Sequence, residues 1–199
     1  MDLIEKMMEE GESVRVFGYG SLLWKPDFQY EKVETGWIDG FKRRFWQGNV
    51  THRGTVDNIG RVATLIQSKK HRVWGVMFEV SNHEDKVKAL NGLTNREVTL
   101  GGYDVIETTF YPRDNGMKPC PVIFFMATPQ NEHYLGKASM DTMAMQIVNA
   151  VGPCGPNIDY VTKMADFIRE NIPEDKDEHL FKLDKLVREY VSTVVERIH

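Results

Sequence analysis

The feature that most constrains the fold is a change in the period of the apolar residues near residue 130. From Val14 to about Thr128, β-branched and aromatic residues form short segments separated by Gly, Pro, Asn and Asp. From Ser139 onward, apolar residues recur at the spacing of amphipathic helices. Regularly spaced short strands favour an antiparallel sheet or small barrel over repeated βαβ units. The sequence therefore predicts an α+β protein, a barrel or curved sheet followed by helices that pack on it.

Six segments have the composition of strands. They are VRVFGYG, the segment through FKRRFW, GRVATLIQ, RVWGVMFEV, YDVIETTFYP and PVIFFMAT. FKRRFW, residues 41–46, is interpreted as a half-buried strand with a charged outer face. One helix interrupts the series at SNHEDKVKALNGL, where Ser81 and Glu84 have capping-box spacing and the end is expected near Asn91–Gly92.

Three apolar stripes follow in the helical region, and we interpret them as core packing. The first is Met140, Met143, Ile147, Val148 and Val151; the second is Tyr160, Met164, Phe167 and Ile168; the third is Leu180, Leu183, Val187, Tyr190, Val191 and Val194. His179, beside Glu178, is expected to be a solvated helix residue.

Charge and composition exclude several classes of function. The net charge is −4 and the basic residues are spread along the chain, which argues against nucleic-acid binding. No apolar run approaches 18 residues, so no membrane span is expected. The acidic opening MDLIEKMMEEGES is unlike a secretory leader and favours a cytoplasmic location. Cys120 and Cys154 form no CxxC pair and are expected to be free, buried thiols, and the six histidines show no metal-binding spacing.

A glycine-rich turn follows the first strand in VFGYGSLLW, residues 16–24. A phosphate-binding P-loop requires Lys directly after its last glycine, and here Gly20 is followed by Ser21. A dinucleotide fingerprint needs a third glycine where Leu23 stands, and a nucleophile elbow needs glycines at Tyr19 and Leu23. Two alternatives stay open: backbone N–H groups that bind a carboxylate, or a tight bend beneath packed aromatic residues.

The pair Arg96-Glu97 lies between the predicted helix and a Gly-Gly-Tyr sequence that precedes a strand. Side chains at such junctions are able to face a cavity from a fixed backbone. The alternative is an ion pair on the surface, which the residues alone favour.

Seven blocks, in order, resemble the glutathione-specific branch of the ChaC-type γ-glutamylcyclotransferases. They are FGYGSLLWKPDF, FKRRFWQGNVTHRG, GRVATL, VWGVMFEV, NREVTLGGYDVIETTFYP, NEHYLGKAS and QIVNAVGPCGPNIDYV. The resemblance extends from about Val14 to about Tyr190. It implies one domain over residues 1–199 with residues 1–13 as an N-terminal extension, and a small mixed β-barrel with flanking and C-terminal helices.

The resemblance also implies an activity: cleavage of glutathione to 5-oxoproline and cysteinylglycine in the cytoplasm, without metal, ATP or organic cofactor. Glu97 would be the catalytic residue, although Val98, Thr99 and Leu100 separate it from Gly-Gly-Tyr, a spacing that matches a longer-loop variant of the family. The γ-glutamyl group would bind to the turn formed by Gly18, Tyr19, Gly20, Ser21, Leu22 and Leu23. Two rival functions are cyclotransfer on other γ-glutamyl compounds and a binding protein without activity. The resemblance implies no oligomeric state.

Overall fold

The structure is a computed structural model that describes residues 13–99, 101–114 and 116–196, with side chains described as far as residue 193. The predicted N-terminal extension, apart from Ser13, and the side chain of Val194 lie outside the described residues. The described chain divides into two compact units, residues 13–42 with 66–128 and residues 43–65 with 129–196. The single domain expected from the sequence stays a prediction.

Five strands close into a barrel. Their bounds are Val14–Gly18 (β1), Lys32–Asn49 (β2), Gly60–Val80 (β3), Asp104–Pro112 (β4) and Cys120–Met126 (β5). The order of strands around the barrel is β1, β3, β2, β4, β5. β1 is antiparallel to β3, with Val14 opposite Val80, and parallel to β5 through Val16 and Ile123. The barrel is therefore mixed, as the family resemblance predicted.

The core of the first unit fixes the end of β1. Val16, Met77 and Ile123 are fully buried, and the rings of Phe17 and Phe110 lie 5.9 Å apart between centroids. Burying each large apolar side chain contributes roughly 1.5–3 kcal/mol to folding. The chain therefore leaves β1 at a position held by packed core side chains, and the glycine-rich turn begins there.

Helix α1 spans His83–Leu93 and begins differently from the prediction. Its N-cap is Asn82, whose side-chain oxygen accepts hydrogen bonds from the backbone N–H groups of Glu84 and Asp85 at 2.9 and 3.2 Å. The predicted capping box at Ser81 is wrong. An asparagine cap satisfies the unpaired N–H groups of the first turn as well as a serine cap does, so local pattern alone did not separate two adjacent candidates.

The chain also stays helical beyond the predicted end at Asn91–Gly92. Gly92 is exposed within α1, and a Cβ atom added there would meet nothing within 4 Å. After α1 the chain forms a π-helical turn, Thr94–Thr99, which carries Arg96 and Glu97. Isolated π turns frequently occur at functional sites.

The second unit contains three long helices and a two-stranded ribbon, α2 (Met140–Asn149), β6 (Val151–Gly152), β7 (Gly155–Pro156), α3 (Asn157–Asn171) and α4 (Glu178–Glu196). Most of the predicted core stripe residues are buried, namely Met143, Ile147, Tyr160, Met164, Ile168, Leu180, Leu183 and Val187. Val151 is 54% exposed, so its assignment to the first stripe is wrong. α2 ends at Asn149 and the extended backbone of Ala150 directs the chain into β6.

A buried ion-pair cluster lies where the sequence predicted a charged outer face. Arg43, in FKRRFW, is 1% exposed. Its Nη1 atom lies 2.9 Å from Asp177 Oδ2 and 3.3 Å from Asp175 Oδ2. The predicted exposure is therefore wrong at Arg43, whose charge is tolerated in the interior because two carboxylates compensate it.

His179 is also buried, which corrects the expectation of a solvated residue. Its ring stacks on Phe45, and its Nε2 atom accepts a hydrogen bond from the backbone N–H of Phe45 at 3.2 Å. Burial, followed by the positive charge of Arg44, lowers the pKa of His179 from 6.5 to about 4. The neutral ring is thus part of the folded structure.

This shifted pKa predicts a loss of stability in acid. Because the pKa of His179 is lower in the folded protein than in the unfolded chain, its contribution to the free energy of unfolding is complete above about pH 6.5. This contribution is lost as the pH falls toward 4. Between pH 7 and 4, the free energy of unfolding should fall by about 2–3 kcal/mol more in the wild-type protein than in His179→Gln. Urea denaturation of both proteins across this range measures the difference. Equal pH dependence in the two proteins would contradict the prediction.

Both cysteines have free thiols, as expected, but neither is buried: Cys120 is half-buried and Cys154 is exposed. Within the described residues, no helix has the length and apolar character needed to cross a membrane.

Candidate active site

The glycine-rich turn combines the end of β1 with one turn of 3₁₀-helix, Ser21–Leu23. The backbone N–H of Leu23 donates to the carbonyl of Gly20 at 3.0 Å, and that of Trp24 to the carbonyl of Ser21 at 3.2 Å. The N–H groups of Ser21 and Leu22 find no acceptor in the described part of the chain. Unpaired N–H groups at the start of such a turn are suited to a carboxylate oxygen.

Apolar side chains anchor the turn in the first unit. Tyr19 is 6% exposed, and its hydroxyl donates to the carbonyl of Phe125 at 2.5 Å. Leu22 and Leu23 are buried, whereas Gly20 and Ser21 are partly exposed. The phenol of Tyr19 therefore supports the turn. The backbone of Gly20 and Ser21 and the Ser21 hydroxyl are the parts of the turn that a ligand is able to contact.

Gly18 permits the tight path of this turn. A Cβ atom at Gly18 would lie 2.8 Å from Cβ of Leu22 and 3.4 Å from the ring of Phe78. The first of these distances is shorter than Cβ contacts in real structures. Glycine is thus required for Leu22 to fold back over the end of β1.

Glu97 is held by the loop that follows the π-helical turn. Its carbonyl accepts a hydrogen bond from the N–H of Tyr103 at 2.9 Å, and the carbonyl of Val98 accepts one from Gly102 at 2.9 Å. Gly102 has a φ of +63°, which favours glycine. Gly-Gly-Tyr therefore fixes the backbone of Glu97, although Val98, Thr99 and Leu100 separate them in sequence. Leu100 lies outside the described residues.

The Glu97 side chain is largely shielded from solvent, with 17% of its surface exposed. Burial raises the pKa of this carboxyl, and the neighbouring Arg96 guanidinium opposes the rise. A carboxyl with a raised pKa gives up and regains a proton more readily near neutral pH than an ordinary glutamate. Glu97 thus has the properties of a general base that later acts as an acid.

Arg96 connects Glu97 to the glycine-rich turn. Its Nε atom lies 2.9 Å from Glu97 Oε1, and its Nη2 atom donates to Ser21 Oγ at 2.7 Å. The sequence favoured a surface ion pair for Arg96-Glu97. The ion pair is present, but both side chains are partly buried and the same guanidinium also binds the turn. The structure thereby brings together Glu97 and Ser21, 76 positions apart.

Asp27 is a site neighbour that the sequence analysis did not identify. Its Oδ2 atom lies 3.3 Å from Arg96 Nη1, and its backbone has a φ of +58°. A positive φ at a residue other than glycine is uncommon, is several-fold more frequent for Asp, and is found disproportionately at functional sites. The only sequence signal was its position after Lys25-Pro26, a typical turn context.

Arg61, which lies in a block of the resemblance, makes contacts of a structural kind. Its Nη1 atom donates to the carbonyls of Phe45 and Gly136 at 2.9 and 3.2 Å, and its Nε atom donates to Gln146 Oε1. It is 3% exposed. These bonds hold strands and loops of the second unit together. Residues 13–99, 101–114 and 116–196 contain no group of three His, Cys, Asp or Glu side chains placed to hold a metal ion.

The structure is similar to solved γ-glutamylcyclotransferases. It matches a crystal structure of a γ-glutamylcyclotransferase specific to glutathione from yeast with a TM-score of 0.80 and 26% identity, over 90% of this chain and 97% of that one. The barrel with a glycine-rich turn and an adjacent, partly buried glutamate thus belongs to the γ-glutamylcyclotransferase fold. A family model described as ChaC-like protein matches residues 14–190. The chain is a member of the ChaC-like protein family.

Curated relatives agree with this assignment. The chain is 44% identical over 169 residues to glutathione-specific γ-glutamylcyclotransferase 1 of Mus musculus, covering 85% of this chain and 75% of that protein. It is 36% identical over 182 residues to γ-glutamylcyclotransferase 2-3 of Arabidopsis thaliana, covering 89% of each.

Proposed function

We propose that this protein is a glutathione-specific γ-glutamylcyclotransferase, a lyase that converts glutathione to 5-oxoproline and cysteinylglycine. The observation that carries the proposal is the pairing of Glu97 with the glycine-rich turn through Arg96, in a chain 44% identical to relatives named for this activity. We also propose a cytoplasmic location, which cell fractionation tests.

The substrate supplies its own nucleophile. The α-amine of the γ-glutamyl group attacks the γ-carbonyl carbon of the same residue and closes a five-membered ring. The bond from that carbon to the cysteinyl nitrogen then breaks, and no water is consumed. Because the reaction is intramolecular, the protein contributes mainly by holding the glutamyl chain in the folded conformation.

The glycine-rich turn would hold that conformation. The N–H groups of Ser21 and Leu22 and the hydroxyl of Ser21 form a set of donors for the substrate α-carboxylate. The Ser21 oxygen accepts from Arg96, so its own proton is available for donation. Charge-assisted bonds of this kind are short and about twice as strong as neutral ones.

Glu97 would perform the proton transfers. The attacking amine must lose a proton, and the departing nitrogen must gain one. A single carboxylate accepts the first proton and returns it to the leaving group. The pKa of Glu97, raised by burial, favours this exchange. Backbone N–H donors would stabilise the tetrahedral oxyanion, an effect worth several kcal/mol in a site shielded from water.

Relative rates on two substrates test the specificity. We expect kcat/KM for glutathione to exceed that for γ-glutamylalanine by about tenfold or more, equivalent to ~1.4 kcal/mol of extra transition-state binding. Both substrates are assayed for 5-oxoproline with the same enzyme preparation. A higher rate on γ-glutamylalanine would instead support a general γ-glutamylcyclotransferase, in line with the broader name of the Arabidopsis relative.

A further inference from the structure

We propose that Arg96 is a positioning residue for this reaction: its guanidinium holds the Glu97 carboxylate against Ser21 of the glycine-rich turn, and Asp27 holds the guanidinium. The proposal rests on the function proposed above and assigns a role to two residues outside the predicted site.

The contacts of Arg96 engage all three guanidinium nitrogens. Nε contacts Glu97 Oε1 at 2.9 Å, Nη2 donates to Ser21 Oγ at 2.7 Å, and Nη1 lies 3.3 Å from Asp27 Oδ2. Nε and Nη2 lie on the same edge of the planar guanidinium. Their partners, the Glu97 carboxylate and the Ser21 hydroxyl, are therefore held side by side along that edge. Lysine has no such rigid fork and cannot replace these contacts together.

Asp27 has a conformation that fits this role. Its φ of +58° directs a short acidic side chain toward Arg96, and the same Oδ2 atom lies 3.7 Å from Lys25 Nζ. The Asp27 side chain is 49% exposed, so solvent weakens its attraction to either cation. Asp27 therefore orients the Arg96 guanidinium more than it adds to the free energy of folding.

Arg96 also places a positive charge beside Glu97. Of the described residues, Arg96 is the cation in direct contact with this carboxyl. Asp27 contacts a different guanidinium nitrogen, Nη1, and Lys25 contacts Asp27. The ring of Tyr103 lies against Gly101 in the adjoining loop. An opposite charge at this distance favours the ionised carboxyl, which is the form that accepts the proton from the amine.

Three variants separate position from charge. Arg96→Gln should lower kcat about tenfold or more and raise the acid-limb pKa of the kcat/KM profile by about one unit or more. Arg96→Lys loses the planar fork, so kcat should fall. Because it keeps the positive charge, the acid-limb pKa should stay near that of the wild type. Asp27→Asn should lower kcat less than Arg96→Gln, without raising the acid limb.

Arg72→Gln is the matched control. Arg72 forms an exposed pair with Asp39 and lies over the ring of Trp37, and among the described residues it makes no contact to Arg96, Glu97 or Ser21. Its variant should keep the wild-type kcat and pH profile. Melting temperatures of all variants show whether a loss of activity follows from unfolding.

A measurement without substrate separates this proposal from the proposed function. In ¹³C NMR titrations, with the Glu97 signal assigned by its absence in Glu97→Gln, Arg96→Gln should raise the pKa of Glu97 and Arg72→Gln should leave it unchanged. An unmoved Glu97 titration together with unchanged kcat would overturn the role of Arg96. A raised Glu97 pKa in a wild-type protein that is inactive on glutathione would support the contact while rejecting the proposed function.

Discussion

Glu97→Gln is expected to lower 5-oxoproline formation from glutathione by about 10²–10⁴-fold, the usual contribution of a general acid–base group. Glutamine has nearly the shape of glutamate but cannot accept the amine proton or return it to the cysteinyl nitrogen. The ion pair with Arg96 becomes a neutral contact, and the backbone bond from the N–H of Tyr103 is unaffected. Binding of the γ-glutamyl group should therefore survive while turnover is lost.

The measurement is a comparison of initial rates for wild type and Glu97→Gln, with Kd for a γ-glutamyl compound determined by calorimetry. Glu107→Gln is the control, because Glu107 is an exposed carboxylate on β4. Its rate should equal that of the wild type. Substantial turnover by Glu97→Gln would assign the proton transfers to another group.

Gly18→Val should have the second largest effect. The new Cβ atom would overlap with Leu22, whose own Cβ lies 2.8 Å from that position, and the 3₁₀ turn would be displaced. Overpacking of this kind costs typically 1–3 kcal/mol of folding free energy. Because Ser21 and Leu22 present the N–H groups, we expect a decrease of about 100-fold in kcat/KM, since a displacement of ~1 Å in a site is sufficient for it.

Gly92→Val is the matched control for this substitution. Gly92 lies within α1, and an added Cβ would meet no atom within 4 Å. Valine has a higher helix propensity than glycine, so stability should be unchanged or slightly increased. Gly18→Ala adds one carbon and should show a smaller loss of activity in the same direction. Wild-type activity in both Gly18 variants would mean that the turn does not hold the substrate.

The general architecture was predictable because each element has a local signal. Strand segments alternate with Gly and Pro, and the helical stripes place Met143, Leu183 and Val187 at buried positions. The turn after β1 was identifiable from its two glycines. The ligand of this turn was not identifiable from the same residues, because they are also compatible with a simple bend.

Residues that depend on distant partners could not be predicted. Arg43 is buried because Asp175 and Asp177, more than 130 positions away, neutralise it. His179 packs on Phe45 and accepts a hydrogen bond from its backbone N–H, and burial, followed by the charge of Arg44, keeps the ring neutral by lowering its pKa. Local pattern treats such polar residues as solvated, since an unpaired charge in the interior is costly.

The same limit applies to Arg96. Beside Glu97 in sequence, it has the pattern of a surface ion pair, and nothing local indicates that its other nitrogens contact Ser21 and Asp27. The π-helical turn that carries Arg96 and Glu97 follows a helix for which the sequence predicts an end near Asn91–Gly92. The connection between Glu97 and the glycine-rich turn therefore depends on the three-dimensional structure and has no signal in the sequence.

The proposed function requires that this chain cyclise the γ-glutamyl group of glutathione by intramolecular attack. Its most direct test is product analysis after incubation of the full chain with reduced glutathione, in the presence of a chelator and without added cofactor. We predict equal amounts of 5-oxoproline and cysteinylglycine, and about 10²–10⁴-fold slower formation of both with Glu97→Gln. Release of free glutamate with cysteinylglycine would indicate hydrolysis, and binding of glutathione without any product would indicate an inactive binding protein. Either result would contradict the proposed function.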